Sequence, residues 1–247
     1  MSDYRRISVF IHGWWGSGKS WLAVTAPGPR LVLDTEGGSR DTPTNHIQWD
    51  GRSDLPDLDK DDSVIVDIES YAQVESIMHY LRKGQHPFES LIIDSMHELQ
   101  DMLKQQVADP GEAYDPNAVF ERQAWGRLKN NMGLLMRQTR DLTRVKSNKQ
   151  INVVIVSGTD DEMVPAKPML EGGARKIVLS FYDVVGYLRT APAQGGEEVR
   201  VLQITPSPTA TAKCRLHNLK VKHGTEIVNP DIRKMIQVVN TPQEKSK

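Results

Sequence analysis

An α/β domain with a mainly parallel central sheet flanked by helices is predicted by three observations. Short apolar runs recur along the chain (7–11, 31–33, 64–66, 91–93 and 151–156), of the kind that buried parallel strands show. Between them lie stretches suited to crossover helices, at 71–82, 95–107 and 119–144. The first run leads directly into GWWGSGKS at 13–20 and then into a helical WLAV, so a phosphate-binding pattern sits between a strand and a helix.

That pattern fits G-x-x-x-x-G-K-[ST]. Gly13, Gly16, Ser17 and Gly18 let backbone N–H groups turn inward around phosphates, Lys19 reaches the β- and γ-phosphates, and the Ser20 hydroxyl meets Mg²⁺. Trp21 continues into the helix, whose N-terminal dipole adds to the cradle. Trp14 and Trp15 admit two readings, stacking on a base or packing against a neighbouring element, and packing is expected.

The second strand, 30–34, runs into DTEGG. Ligands of open α/β sheets bind beyond the carboxyl ends of the strands, so Asp34 and Glu36 share a rim with Lys19. Either acid can orient a water for attack on the γ-phosphate or merely cap a turn. A short strand near 46–49, a strand at 63–67 and a helix at 71–82 come next. Within 90–95, SLIIDS, three apolar residues then end in an acid, as in a strand whose Asp94 holds Mg²⁺ together with Ser20.

A helix over 95–107 is broken at 108–117 by two prolines and a glycine. The long helix 119–144 buries a stripe of Trp125, Leu128, Met132, Leu135, Thr139 and Leu142 and turns Arg122, Lys129, Arg137, Arg140 and Arg144 outward. A central strand at 151–156 is followed by a loop over 160–170, the Gly172-Gly173 pair and a helical turn at 174–180. Residues 182–189 and 198–204 read as a hairpin about Gly195-Gly196, a carboxyl-terminal extension of the sheet. Lys213 to Arg215 lie on or beside a last strand, 230–238 forms a closing helix, and the polar tail 241–247 is expected to be disordered after one domain over 1–240.

At 247 residues, with 38% hydrophobic and 26% charged residues, the chain has an ordinary globular composition. No apolar run approaches the roughly 20 residues that span a bilayer, and the amino terminus lacks a signal-peptide core, so a cytoplasmic protein without membrane association is expected. The lone Cys214 excludes an internal disulfide and a cysteine-cluster zinc site. Charge is uneven: residues 1–120 carry 10 Lys and Arg against 20 Asp and Glu, and residues 121–247 carry 21 against 12. Such halves suit head-to-tail association of subunits, a polyanion on the later half, or two solvated faces.

In order and spacing, the phosphate loop, LVLDTEGG, LIIDS, the long helix, NVVIVSG and GGARKIVLSFYDVVGYLR resemble the ATPase core of the RecA recombinase family, over about residues 7–216. The shortened form is most similar to the RecA-like single-strand annealing proteins of bacteriophages. The resemblance implies a RecA-like P-loop ATPase with ATP and Mg²⁺ as ligands and Glu36 as the acid that activates water. It implies single-stranded DNA on the loop 160–173, with Lys167, Arg175 and Lys176 as phosphate contacts. Lys213 and Arg215 occupy the place of a basic pair that reaches the neighbouring subunit's ATP. The implied partners are therefore single-stranded DNA, further copies of the chain with ATP at their interface, and a single-strand binding protein, in the host cytoplasm if the chain is phage-encoded. No Gln follows the 151–156 strand where the family senses the γ-phosphate, so Ser157 or Thr159 would have to serve. An alternative keeps the nucleotide site but makes it an assembly switch for a protein partner in a replication complex. A small-molecule kinase would need an acceptor lid, for which no arginine-rich pattern is present.

Overall fold

The structure, a computed structural model, describes residues 4–108, 120–145, 149–160, 162–193 and 195–242. Its strands are β1 (Ser8–Gly13), β2 (Arg30–Asp34), β3 (His46–Gln48), β4 (Ser63–Asp67), β5 (Ser90–Asp94), β6 (Asn152–Ser157), β7 (Thr159–Asp160), β8 (Lys167–Pro168), β9 (Val184–Pro192), β10 (Glu198–Gln203), β11 (Lys213–Cys214) and β12 (Glu226–Val228). Its helices are α1 (Lys19–Ala23), α2 (Tyr71–Arg82), α3 (Met96–Ala108), α4 (Arg122–Asp141), α5 (Ala174–Phe181), α6 (His217–His223) and α7 (Ile232–Asn240).

Seven strands run parallel in the order β3-β4-β2-β5-β6-β1-β9, and β10 and β12 extend the sheet antiparallel beyond β9. Both faces are covered, which is why the strands read as continuous apolar runs rather than alternating ones. Phe10, Leu33, Val66 and Ile93 point to the side of α2, α3, α4 and α5, while Val9, Ile11, Val32 and Ile92 point to the side of α1, α6 and α7. The predicted fold class holds. The hairpin is less of an appendage than expected, because β9 is itself the next parallel strand beside β1 before it turns into β10.

Register places the chemistry. Asp34 of β2 is level with Asp94 of β5, Asp94 with Val156 of β6, and Val156 with Ile11 of β1. Residues just beyond this row, among them Gly13, Glu36, Ser95 and Gly158, therefore form one rim at the carboxyl ends of the strands.

Three expectations are corrected. Trp125 is not in the buried stripe of α4: Ala124 takes that place, and Trp125, about 100° further round, is 37% exposed and packs edge-on against Phe120. Trp14 and Trp15 are not packed away as expected; they are 42% and 66% exposed and meet each other edge to face. The 160–170 loop contains a small hairpin, β7–β8. The 3₁₀ turn Gly38–Asp41, α6 and β12 lack a strong local signal; in α6 only Leu219 is buried. The expected break over 108–117, the start of the long helix at 119, Asp161 and the end of the tail from 243 lie wholly or partly outside the described residues.

Candidate nucleotide site

β1 ends at Gly13 and the loop closes on itself. The Trp14 carbonyl accepts from the Ser17 N–H (3.3 Å), the Ser17 hydroxyl (2.8 Å) and the Lys19 ammonium (2.7 Å). Gly13 has to be glycine because a Cβ there would stand 2.3 Å from the Leu188 carbonyl oxygen of β9. Gly18 has φ +87° and a Cβ on it would meet the Arg200 guanidinium at 2.3 Å. The N–H groups of the first turn of α1 have no intrahelical acceptor. They face a cleft of about 310 Å³ that also receives Lys19, Ser20, Glu36, Asp94, His97 and Arg200.

Lys19 and Asp94 are both drawn from water here. Burial pushes the Lys19 ammonium down, an effect the nearby Asp94 and Glu36 charges oppose. Burial pushes the Asp94 carboxyl up to about 6, with Glu36 and Asp34 adding to the rise and a hydrogen bond from Ser20 and the Lys19 charge opposing it. A serine hydroxyl and a buried carboxylate that lacks full charge compensation, both lining one cleft, are a hard-oxygen donor set. It fits Mg²⁺, held by Ser20 and Asp94 beside bound phosphates.

Asp34 and Glu36 are separated by their partners. The Asp34 carboxylate is 2% exposed and accepts the N–H groups of Glu36 (3.1 Å), Gly37 (2.8 Å) and Ser39 (3.0 Å), so it shapes the turn that carries Glu36. Thr35 ties that turn to β5: its N–H donates to the Asp94 carbonyl (2.8 Å) and its hydroxyl oxygen accepts from the Ser95 N–H (2.7 Å). Glu36 itself faces the cleft. Its Oε1 accepts a short hydrogen bond from the Ser95 hydroxyl and lies 3.4 Å from His97 Nε2, while Oε2 has no hydrogen bond among the described residues. The ligand atoms of Glu36, His97 and Glu98 lie within 4.8 Å of one another. They do not fit a metal, because the Gly158 N–H donates to His97 Nδ1 (3.2 Å) and thereby leaves the ring proton on the Nε2 that faces the acids.

Sequence reasoning missed His97, Ser95 and Arg200. Arg200 lies on β10, stacks over the Trp21 ring at 5.4 Å and makes no ion pair among the described residues, which leaves a cation beside the phosphate loop. Nothing local marks it, since its neighbours here are about 180 residues earlier. Ser95 follows the strand-ending Asp94 directly, but its bond to Glu36 joins the ends of two strands about 60 residues apart.

The other predicted residues lie outside this cleft. Lys213 and Arg215 donate to the Leu179 and Ser180 carbonyls at the end of α5, at the start of β9 and so away from the phosphate rim. Arg175 pairs with Asp160 (2.8 Å) and donates to the Leu170 carbonyl, so it braces the β7–β8 hairpin; Lys176 is exposed and Lys167 is partly so. Ser157 is fully buried with no partner for its hydroxyl, and Thr159 bonds His12 and the Lys167 carbonyl, so neither hydroxyl is directed to the cleft. The end of β6 enters it at Gly158 instead. No helix among the described residues is long and apolar enough to cross a membrane.

With a lysine, a hydroxyl–carboxylate pair and an acid on one rim, the cleft has the parts for phosphoryl transfer from a nucleoside triphosphate to water. No curated protein matches the chain. A protein-family model described as an AAA domain matches residues 5–216, from before β1 to just before α6, and the chain belongs to this family of P-loop ATPases.

Proposed function

We propose that the chain hydrolyses ATP, binds single-stranded DNA and assists phage DNA recombination or annealing. The observation that carries hydrolysis is the placing of Glu36, with Oε1 held and Oε2 free, on the same cleft as Lys19 and the Ser20–Asp94 pair. Lys19 leaves the Trp14 carbonyl for the β- and γ-phosphates and offsets their charge. Bound Mg²⁺ would supply further neutralisation of the phosphate oxygens. Glu36 Oε2 accepts a proton from water as its oxygen bonds to the γ-phosphorus; the bond to the β-phosphate oxygen breaks and ADP leaves. Trp21 and Arg200 offer a stacked surface at the cleft for the remainder of the nucleotide.

Support for a polyanion partner is electrostatic. Lys167 lies on β8 and Lys176 on α5, and a groove of about 510 Å³ between α2 and α4 is lined by His79, Arg82, Lys83 and Arg137 against one acid, Asp141. The exposed Trp14, Trp15 and Trp21 around the loop favour a second subunit over the nucleotide, to which the distant Lys213 and Arg215 would be offered by a neighbour.

ATP turnover with and without a single-stranded oligonucleotide tests this reading. Stimulation is expected, and Lys19→Ala is expected to lower ATP affinity about 10- to 100-fold, as loss of a charged hydrogen-bond donor does. Neutralising Lys167 and Lys176, with the Arg175–Asp160 brace left intact, should flatten the log–log salt dependence of DNA binding by about 0.7 per lost contact. No stimulation would favour the assembly switch, and an unchanged slope would move the DNA to the α2–α4 groove.

A further inference from the structure

We propose that His97 is the positioning residue of hydrolysis: it orients Glu36 and joins it to the end of β6. The proposal rests on Glu36 as the base.

His97 stands on the first turn of α3, with its side chain 12% exposed, where the ends of β2, β5 and β6 converge. Its two nitrogens have different work. Nδ1 accepts the Gly158 N–H, so it carries no proton, and the neutral ring holds its hydrogen on Nε2. Nε2 faces Glu36 Oε1 at 3.4 Å and Glu98 Oε1 at 3.9 Å. A ring in this tautomer can donate to the carboxylate but cannot take a proton from water at Nε2, which removes His97 as a base of its own.

Its effect on Glu36 follows from which oxygen it meets. The Ser95 hydroxyl donates to the same Oε1. The Ser95 bond holds this oxygen, and the Nε2–H standing 3.4 Å from it on another side restricts the rotation of the carboxylate and leaves the lone pairs of Oε2 for water. Glu36 sits on a turn with 40% of its side chain exposed, so without them it would sample several rotamers.

The far side of the ring leads out of the cleft. Gly158 donates to His97 with its N–H and accepts the Met169 N–H with its carbonyl (2.9 Å). Met169 directly follows β8, and the β7–β8 hairpin is braced by the Arg175–Asp160 pair. Since the hydroxyls of Ser157 and Thr159 are engaged or buried elsewhere, His97 is the described side chain that links this strand end to the base.

The test is steady-state ATP turnover by His97→Asn, His97→Gln, Glu36→Gln and the double variant His97→Asn/Glu36→Gln. An Asn oxygen can still accept from Gly158 but cannot reach Glu36, whereas a Gln amide can extend a donor to the Nε2 position. His97→Asn is expected to lower kcat about 10- to 100-fold, as loss of a supporting partner does, with KM for ATP unchanged. His97→Gln should restore most of it, and His97→Asn should add nothing in the Glu36→Gln background. An undiminished kcat in His97→Asn, or a loss that multiplies with that of Glu36→Gln, overturns the proposal. Should His97→Asn fail to fold, His97→Gln carries the test: it should stay within a few-fold of the unaltered chain, and a loss as deep as that of Glu36→Gln overturns it. Failure of the hydrolysis reading looks different, as an unaltered chain that shows no turnover at all.

Discussion

Asp34 and Glu36 stand two residues apart at one strand end, and their partners give them opposite tasks. Asp34 is consumed by three backbone N–H groups. Asn at this position would turn an amide toward at least one of them, so Asp34→Asn should destabilise the fold by about 1–3 kcal/mol, read from urea denaturation. An unchanged midpoint would show that the turn holds without these bonds. Two histidines add a pH dependence: burial pushes both His12 and His86 down to about 4. Both stay neutral in the fold while the unfolded chain takes up protons, so their contribution is fully present above pH 6.5 and is lost as pH falls from there toward 4. The slope is about 1.4 kcal/mol per pH unit for each. His86 packs against Tyr80 and Phe88, so His86→Phe should reduce the slope by its share, as measured by denaturation midpoints between pH 7 and 4.5. At this scale the sequence reveals residues whose chemistry is local. Lys19 and Ser20 belong to one loop and Asp94 closes an apolar strand, whereas the role of His97 needs Glu36 and Gly158, about 60 residues away on either side.

Among the elements, β2, β4, β5 and α2 follow the sequence pattern because each is a buried run or a stripe with its own end signal. α4 shows the limit of such reading: periodicity finds the helix but admits Trp125 into the stripe, since a large apolar side chain one position round still fits the spacing. α6 and β12 pack at the far edge with few buried residues and so have weak patterns. β10 is the late element that reaches the candidate site. Its antiparallel pairing with β9, which is itself beside β1, carries Arg200 back over the phosphate loop. Arg200→Ala should weaken ATP binding about tenfold by calorimetry, the scale of one charged hydrogen bond. Unchanged affinity would place Arg200 outside the nucleotide contacts.

Across the whole molecule, the excess of acid in residues 1–120 and of base in 121–247 accompanies a basic pair set away from the phosphate rim. If a neighbour's Lys213 and Arg215 complete the site, then mixing Glu36→Gln with the double variant Lys213→Ala/Arg215→Ala should recover turnover that neither has alone. High salt should reduce the recovery. Should the pair serve only to cap α5, its loss would lower stability while turnover per folded chain stayed the same. The central claim concerns Glu36, whose Oε2 has no hydrogen bond among the described residues. Phosphate release at saturating ATP and Mg²⁺ by the unaltered chain and by Glu36→Gln tests it most directly: ATP affinity should be equal, and turnover should fall about 10²- to 10⁴-fold in the variant, the range of a lost general base. Equal turnover by the two proteins would contradict it.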